Sequence, residues 1–131
     1  MKTLLVTLSL FATFSASAVV GADHTKDSLT TIKAALAAGE AVLVDVREHS
    51  EWDAGAIDKA VFVPLSELNN GLGADALQMR LPAGKILYTY CRSGRRSRTA
   101  ADRLQEAGYD VRALKAGYQD LIDAGFPKRS E

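Results

Sequence analysis

The chain has one cysteine in 131 residues, so no disulfide can form within it. Two histidines beside that single thiol leave no His/Cys cluster with zinc-like spacing. Neither sign of charge is in excess: 16 basic and 16 acidic residues balance. Nothing global therefore attracts the chain to nucleic acid or to a membrane surface. With three prolines and ten glycines, it has no low-complexity tract, and no internal repeat is visible. No glycine-rich nucleotide loop leads into a helix bearing a phosphate lysine. Long apolar runs are also missing, apart from residues 4–14. That run is shorter than the roughly 20 residues a membrane span needs.

Lys2 before the run and Ser15-Ala16-Ser17-Ala18 after it fit a secretory signal peptide. Residues 1–18 are expected to be removed, with Ala22 as the later alternative cut. The expected location is outside the cytoplasm, in a periplasm, with no membrane attachment after processing. No cysteine lies near the cut, which argues against a lipid anchor. About 113 residues remain, enough to bury about two-thirds of their unfolded surface in one domain. A lone cysteine in an exported protein pairs with another chain or is a reactive thiol.

Apolar runs and helical periods alternate along the rest of the chain. Leu29, Ile32 and Leu36 fall at helical spacing behind Asp27-Ser28, a capping pair, and Gly39 is placed to end the helix. Ala41-Val42-Leu43-Val44 is a continuous apolar run, as in a strand buried on both faces. A short helical turn is expected over 50–54, a strand over 61–63 and short helices from Ser66 and over 74–79. A strand over 86–90 leads to Cys91, a helix is expected over 98–107, a strand over 111–114 and a helix over 118–124. Such alternation predicts an α/β domain with a mainly parallel central sheet flanked by helices in three layers. Ligands bind beyond the carboxyl ends of such strands, and both Asp45 and Cys91 stand at strand ends.

Cys91-Arg92-Ser93-Gly94-Arg95-Arg96-Ser97 lies between a strand and a helix. The thiolate is the nucleophilic form of cysteine, and a free thiol titrates near about 8.5. The helix N-terminus and the arginines favour the ionised form here. Gly94 allows a tight turn whose N–H groups point inward as an anion nest. That nest suits a bound anion or an anionic leaving group. A cysteine phosphatase needs arginine six places after the cysteine to hold phosphate bidentately. Ser97 stands there, between Arg96 and Arg98. The tighter cradle argues for a substrate that presents one small atom to sulfur, and against a phosphatase or arsenate reductase.

Leu43-Val44-Asp45-Val46-Arg47-Glu48, Glu51-Trp52-Asp53-Ala54-Gly55-Ala56-Ile57 and the run from Cys91 to Ala100 resemble the signature segments of single-domain rhodaneses. Ala107-Gly108-Tyr109 and Leu114-Lys115-Ala116-Gly117-Tyr118 resemble the closing segments of that family. The resemblance covers about residues 27–126 and, with the leader, is to the exported phage-shock protein E type. The chain departs from the family pattern at Ala56, Lys59 and Ala116, where the family often has His, Gly and Gly.

The resemblance implies a thiosulfate sulfurtransferase. The Cys91 thiolate would attack the outer sulfur of thiosulfate, expel sulfite and become a persulfide. Cyanide or a thiol, including a protein thiol, would then take the sulfur, in two covalent steps without a cofactor. The N–H groups from Arg92 through Ser93, Gly94 and Arg95 to Arg96 would hold the persulfide, with Arg92 and Arg95 on the sulfonate. Asp45 and Arg47 match the first-strand signature, and Arg47 is expected to order the loop by ion pairing. Arg96 could equally pair with an acid such as Asp45 or Asp102. A second reading is a persulfide or redox carrier that docks a partner protein and turns thiosulfate over poorly. His49 reads as solvated, His24 as chemically idle in a polar lead-in, and Trp52 as packing. An exposed thiolate without a resolving cysteine is expected to oxidise readily under peroxide.

Overall fold

In a computed structural model of the chain, residues 22–130 are described. The expected signal segment 1–18 lies outside them, and of the two candidate cut positions only Ala22 is included. The elements run α1 (Leu29–Ala37), β1 (Ala41–Asp45), α2 (His49–Ala54), β2 (Val61–Phe62), α3 (Leu65–Asn69) and α4 (Ala74–Arg80). They continue with β3 (Ile86–Tyr90), α5 (Arg95–Glu106), β4 (Asp110–Ala113) and α6 (Tyr118–Asp123). Ser28 caps α1 by accepting the Thr31 N–H at 3.1 Å. Asp27 does not share that task; it accepts the Tyr88 hydroxyl and pairs with Arg112.

The strands form one four-stranded parallel sheet in the order β2-β1-β3-β4. β1 and β3 are central, which is why their runs are apolar without alternation. Successive side chains go to opposite faces. Val44 and Leu87 pack with Ala100, Ala101 and Leu104 of α5 in one core. Leu43, Tyr88 and Tyr90 pack with Ile32 of α1 and Leu121 of α6 in the other. Two faces covered by helices give the expected three layers.

Asp45 pairs in register with Tyr90, and the Val46 N–H donates to the Tyr90 carbonyl at 3.1 Å. The ends of β1 and β3 thus lie side by side, and Cys91 leaves the sheet on the same edge as Asp45. α5 begins at Arg95, three residues before the expected start. Gly94 is its N-cap at φ +90°, and no side chain caps the helix. Arg95, Arg96 and Ser97 are therefore first-turn residues whose N–H groups lack intrahelical partners. Lys59 holds a left-handed φ of +62°, the conformation for which the family's usual glycine is suited.

Candidate active site

Cys91 is fully buried. The expectation of an exposed thiol is corrected: the loop backbone curls over the sulfur while the long arginine side chains run outward. The Gly94 N–H donates to Cys91 Sγ at 3.0 Å. Only a residue that tolerates φ +90° can sit at Gly94 and turn that N–H back over the sulfur. On the other side, the Tyr118 N–H donates to the Cys91 carbonyl at 2.8 Å. A β-carbon on Gly117 would stand 1.8 Å from the Arg92 carbonyl oxygen. The start of α6 therefore packs directly on the backbone of the cysteine loop.

Ser97 is buried beneath the loop, its hydroxyl 2.9 Å from both the Gly94 and the Leu114 carbonyl oxygens. The Thr89 hydroxyl donates to the Ser97 carbonyl at 2.8 Å. A serine where a phosphatase has arginine thus ties the first turn of α5 to β3 and to the segment after β4. His24 also reaches the loop: its Nε2 lies 2.6 Å from the Gly94 carbonyl oxygen. The polar lead-in carried no periodic signal that could have announced this contact.

The four loop arginines divide by partner. Arg96 makes a two-pronged ion pair with Glu51 of α2, Nη1 to Oε1 at 2.6 Å and Nη2 to Oε2 at 2.9 Å. The expected partners Asp45 and Asp102 are engaged elsewhere, by Arg47 and by the Ala22 N–H. The Arg96 hydrogen bonds hold the Glu51 carboxyl at about 2, well below its ordinary value. Arg98 donates to the Ala22 carbonyl at 2.8 Å. Arg92 and Arg95 are exposed and make no ion pair among the described residues. Ser93 is exposed between them.

Beside the loop, Arg47 is buried against Asp45, with Nη2 to Oδ2 at 2.8 Å. The same Nη2 donates to the Gly55 carbonyl at 2.6 Å, and the guanidinium lies 4.2 Å from the Tyr118 ring centroid. Arg47 thus acts through α2 and Tyr118 and makes no ion pair with the loop itself. The Tyr90 hydroxyl donates to Asp45 Oδ2 at 2.6 Å and accepts the Ile57 N–H at 3.3 Å. Burial, and next the Asp45 carboxylate, push the Tyr90 phenol far up, so it stays a neutral donor. Arg47, Glu51, Gly55, Arg92, Tyr118 and Gln119 line a hollow of about 390 Å³ at this edge of the sheet. The remaining candidates are not brought to the sulfur. His49 faces Glu67 at 3.6 Å and Phe62, and Trp52 stacks on Phe62. Among the described residues no cluster of metal-ligating side chains is present.

A buried cysteine that accepts a backbone N–H thus sits between the end of a parallel strand and the start of a helix. The family profile of the rhodanese-like domain matches residues 28–124. The chain belongs to the rhodanese-like domain family. This rhodanese domain is 34% identical over 110 residues to the human thiosulfate:glutathione sulfurtransferase, covering 73% of this chain and 91% of that protein. It is 37% identical over 76 residues to the probable adenylyltransferase/sulfurtransferase MoeZ of Mycobacterium tuberculosis. That match takes in 57% of this chain but 18% of the relative, so the chain spans about a fifth of some longer relatives. Among solved structures, a human single-domain sulfurtransferase superposes with a TM-score of 0.64 at 29% identity, covering 74% of this chain and 94% of that one. A rhodanese-related protein of Thermoplasma volcanium gives 0.63 at 25% identity, covering 78% and 94%. The fold is rhodanese-like, as the sequence resemblance implied.

Proposed function

We propose that the protein is a thiosulfate sulfurtransferase that carries sulfur as a persulfide on Cys91. The observation that carries this reading is the Gly94 N–H aimed at Cys91 Sγ at 3.0 Å in a rhodanese-like domain. A backbone donor at that distance supports a negative sulfur, whether thiolate or persulfide. The thiolate attacks the outer sulfur of thiosulfate; the S–S bond breaks, and its electron pair leaves with sulfite. An acceptor nucleophile, cyanide or a thiol, then attacks the terminal sulfur of the persulfide. That S–S bond breaks in turn and returns the thiolate, so no outside oxidant or reductant is needed. Exposed Arg92 and Arg95 supply charge for the sulfonate end of the donor.

We place the protein outside the cytoplasm, as an exported rhodanese of the phage-shock protein E type, on its leader-like first 18 residues. Sequencing the N-terminus of the protein recovered from cells tests this. An intact residue 1 would refute it.

Incubation with thiosulfate should raise the intact mass by one sulfur, cyanide should remove it, and Cys91→Ser should abolish the gain. No mass gain with any sulfane donor would end the reading. The similarity to longer proteins that include a sulfurtransferase favours a second reading, a carrier that docks a partner. It requires the persulfide to pass faster to a protein thiol than to cyanide or a small thiol.

A further inference from the structure

Two backbone carbonyls beneath the cysteine loop compete for one hydroxyl proton. Ser97 Oγ is 2.9 Å from the oxygen of Gly94 and 2.9 Å from that of Leu114. A hydroxyl has one proton and can donate it to one acceptor at a time. Ser97 is fully buried, where an unmet carbonyl is costly. His24 Nε2, 2.6 Å from the Gly94 oxygen, gives that carbonyl a further donor from a side chain. A carbonyl carries no proton, so the hydrogen in that contact belongs to Nε2.

His24 is held in place from its own backbone. It bridges Ala113 at the end of β4, and the next N–H, that of Thr25, donates to the Ala113 carbonyl at 2.8 Å. Gly94 is enclosed by the same groups. A β-carbon there would lie 2.7 Å from the Lys115 carbonyl oxygen and 3.2 Å from His24 Nε2. The Gly94 N–H is the one that meets Cys91 Sγ.

We infer that His24 is a positioning residue for the sulfur cradle: its Nε2–H fixes the Gly94–Arg95 peptide and so holds the Gly94 N–H on the Cys91 sulfur. The same bond polarises that peptide, which strengthens the Arg95 N–H as a donor to a bound anion. His24 does not touch the sulfur and takes no proton from it. The inference deepens the sulfurtransferase reading and rests on it for the kinetic half of its test.

The test compares His24→Phe, which keeps bulk but no donor, with His24→Gln, which keeps an N–H. Two rates are read at fixed pH: thiosulfate-driven persulfide formation by intact mass, and alkylation of Cys91 by iodoacetamide. His24→Phe should slow both about five- to tenfold, the effect of one hydrogen bond, while His24→Gln keeps about half of the wild-type rates. Unchanged rates in His24→Phe, or equal losses in both variants, would overturn the inference, since equal losses mean packing alone. Nitrogen-15 NMR of the unsubstituted protein decides the matter even if a variant fails to fold. A proton on Nε2 is expected, and a bare Nε2 would refute the bond. If the wild-type protein forms no persulfide, the sulfurtransferase reading falls, while the alkylation rates and the tautomer still decide the role of His24.

Discussion

Arg96 in the first turn of α5 and Glu51 in α2 close a two-pronged ion pair across the mouth of the cysteine loop. The pair fixes α5 to α2 and removes one of the loop's arginines from service to a ligand. Its hydrogen bonds hold Glu51 at about 2, against an ordinary 4.5. A carboxyl lowered on folding contributes stability that is complete above its unfolded value and fades as pH falls through its folded value. Glu51→Gln should therefore cost about 1 kcal/mol at neutral pH after solvent screening. That difference should shrink between about pH 4.5 and about 2. Urea unfolding of both proteins across that window measures it, and a pH-independent gap would contradict the pair's role.

Arg92 and Arg95 stand apart from Arg96, because neither has an ionic partner among the described residues. Arg92→Ala and Arg95→Ala should each raise KM for thiosulfate by about three- to tenfold and weaken its dependence on salt. Arg96→Ala should lower thermal stability more than it changes KM. Steady-state kinetics at two ionic strengths separate the groups.

The strands and the cysteine loop were legible because their signals are local. The uninterrupted apolar runs of β1 and β3 reflect burial on both faces, and the run from Cys91 to Ser97 stands out between a strand and a helix by its glycine and its arginines. The start of α5 was not legible. A glycine N-cap at φ +90° leaves no side-chain capping signal, so Arg95 and Arg96 read as loop. The burial of Cys91 was masked by its arginine neighbours, whose side chains leave the core that the cysteine enters. Glu51 and His24 acquire their roles only when α2 and the lead-in fold back over a loop more than 40 residues away in sequence, which no local pattern encodes. Trp52, by contrast, packs on Phe62 as its place in a short helix suggested.

Asp45 is buried with its carboxylate shared between Arg47 and the Tyr90 hydroxyl. Removing the charge leaves the buried guanidinium of Arg47 without compensation, so Asp45→Asn should destabilise the domain by about 3–5 kcal/mol. Tyr90→Phe removes one donor from Asp45 and one acceptor from the Ile57 N–H, and should cost about 1–3 kcal/mol. Denaturant midpoints at neutral pH give both values. A Tyr90→Phe loss as large as that of Asp45→Asn would mean that the hydroxyl, and not the ion pair, anchors the cluster.

Ala116 and Gly117, at the family's paired glycines, differ in the space the fold leaves for a β-carbon. A β-carbon on Gly117 would overlap the Arg92 carbonyl oxygen at 1.8 Å and its carbon at 2.5 Å. The φ of Gly117 is −86°, which any residue adopts, so the demand is for space alone. Gly117→Ala must push the start of α6 off the loop or the loop off its sulfur. It should cost about 1–3 kcal/mol, as overpacking does, and lower persulfide formation by more than tenfold. Ala116 already carries a methyl group, and Ala116→Gly should change the rate little while costing under about 1 kcal/mol through added freedom of the unfolded chain. Intact-mass kinetics with thiosulfate on both variants test the contrast. Equal rates would mean that the close approach of α6 to Arg92 does not set the geometry of Cys91.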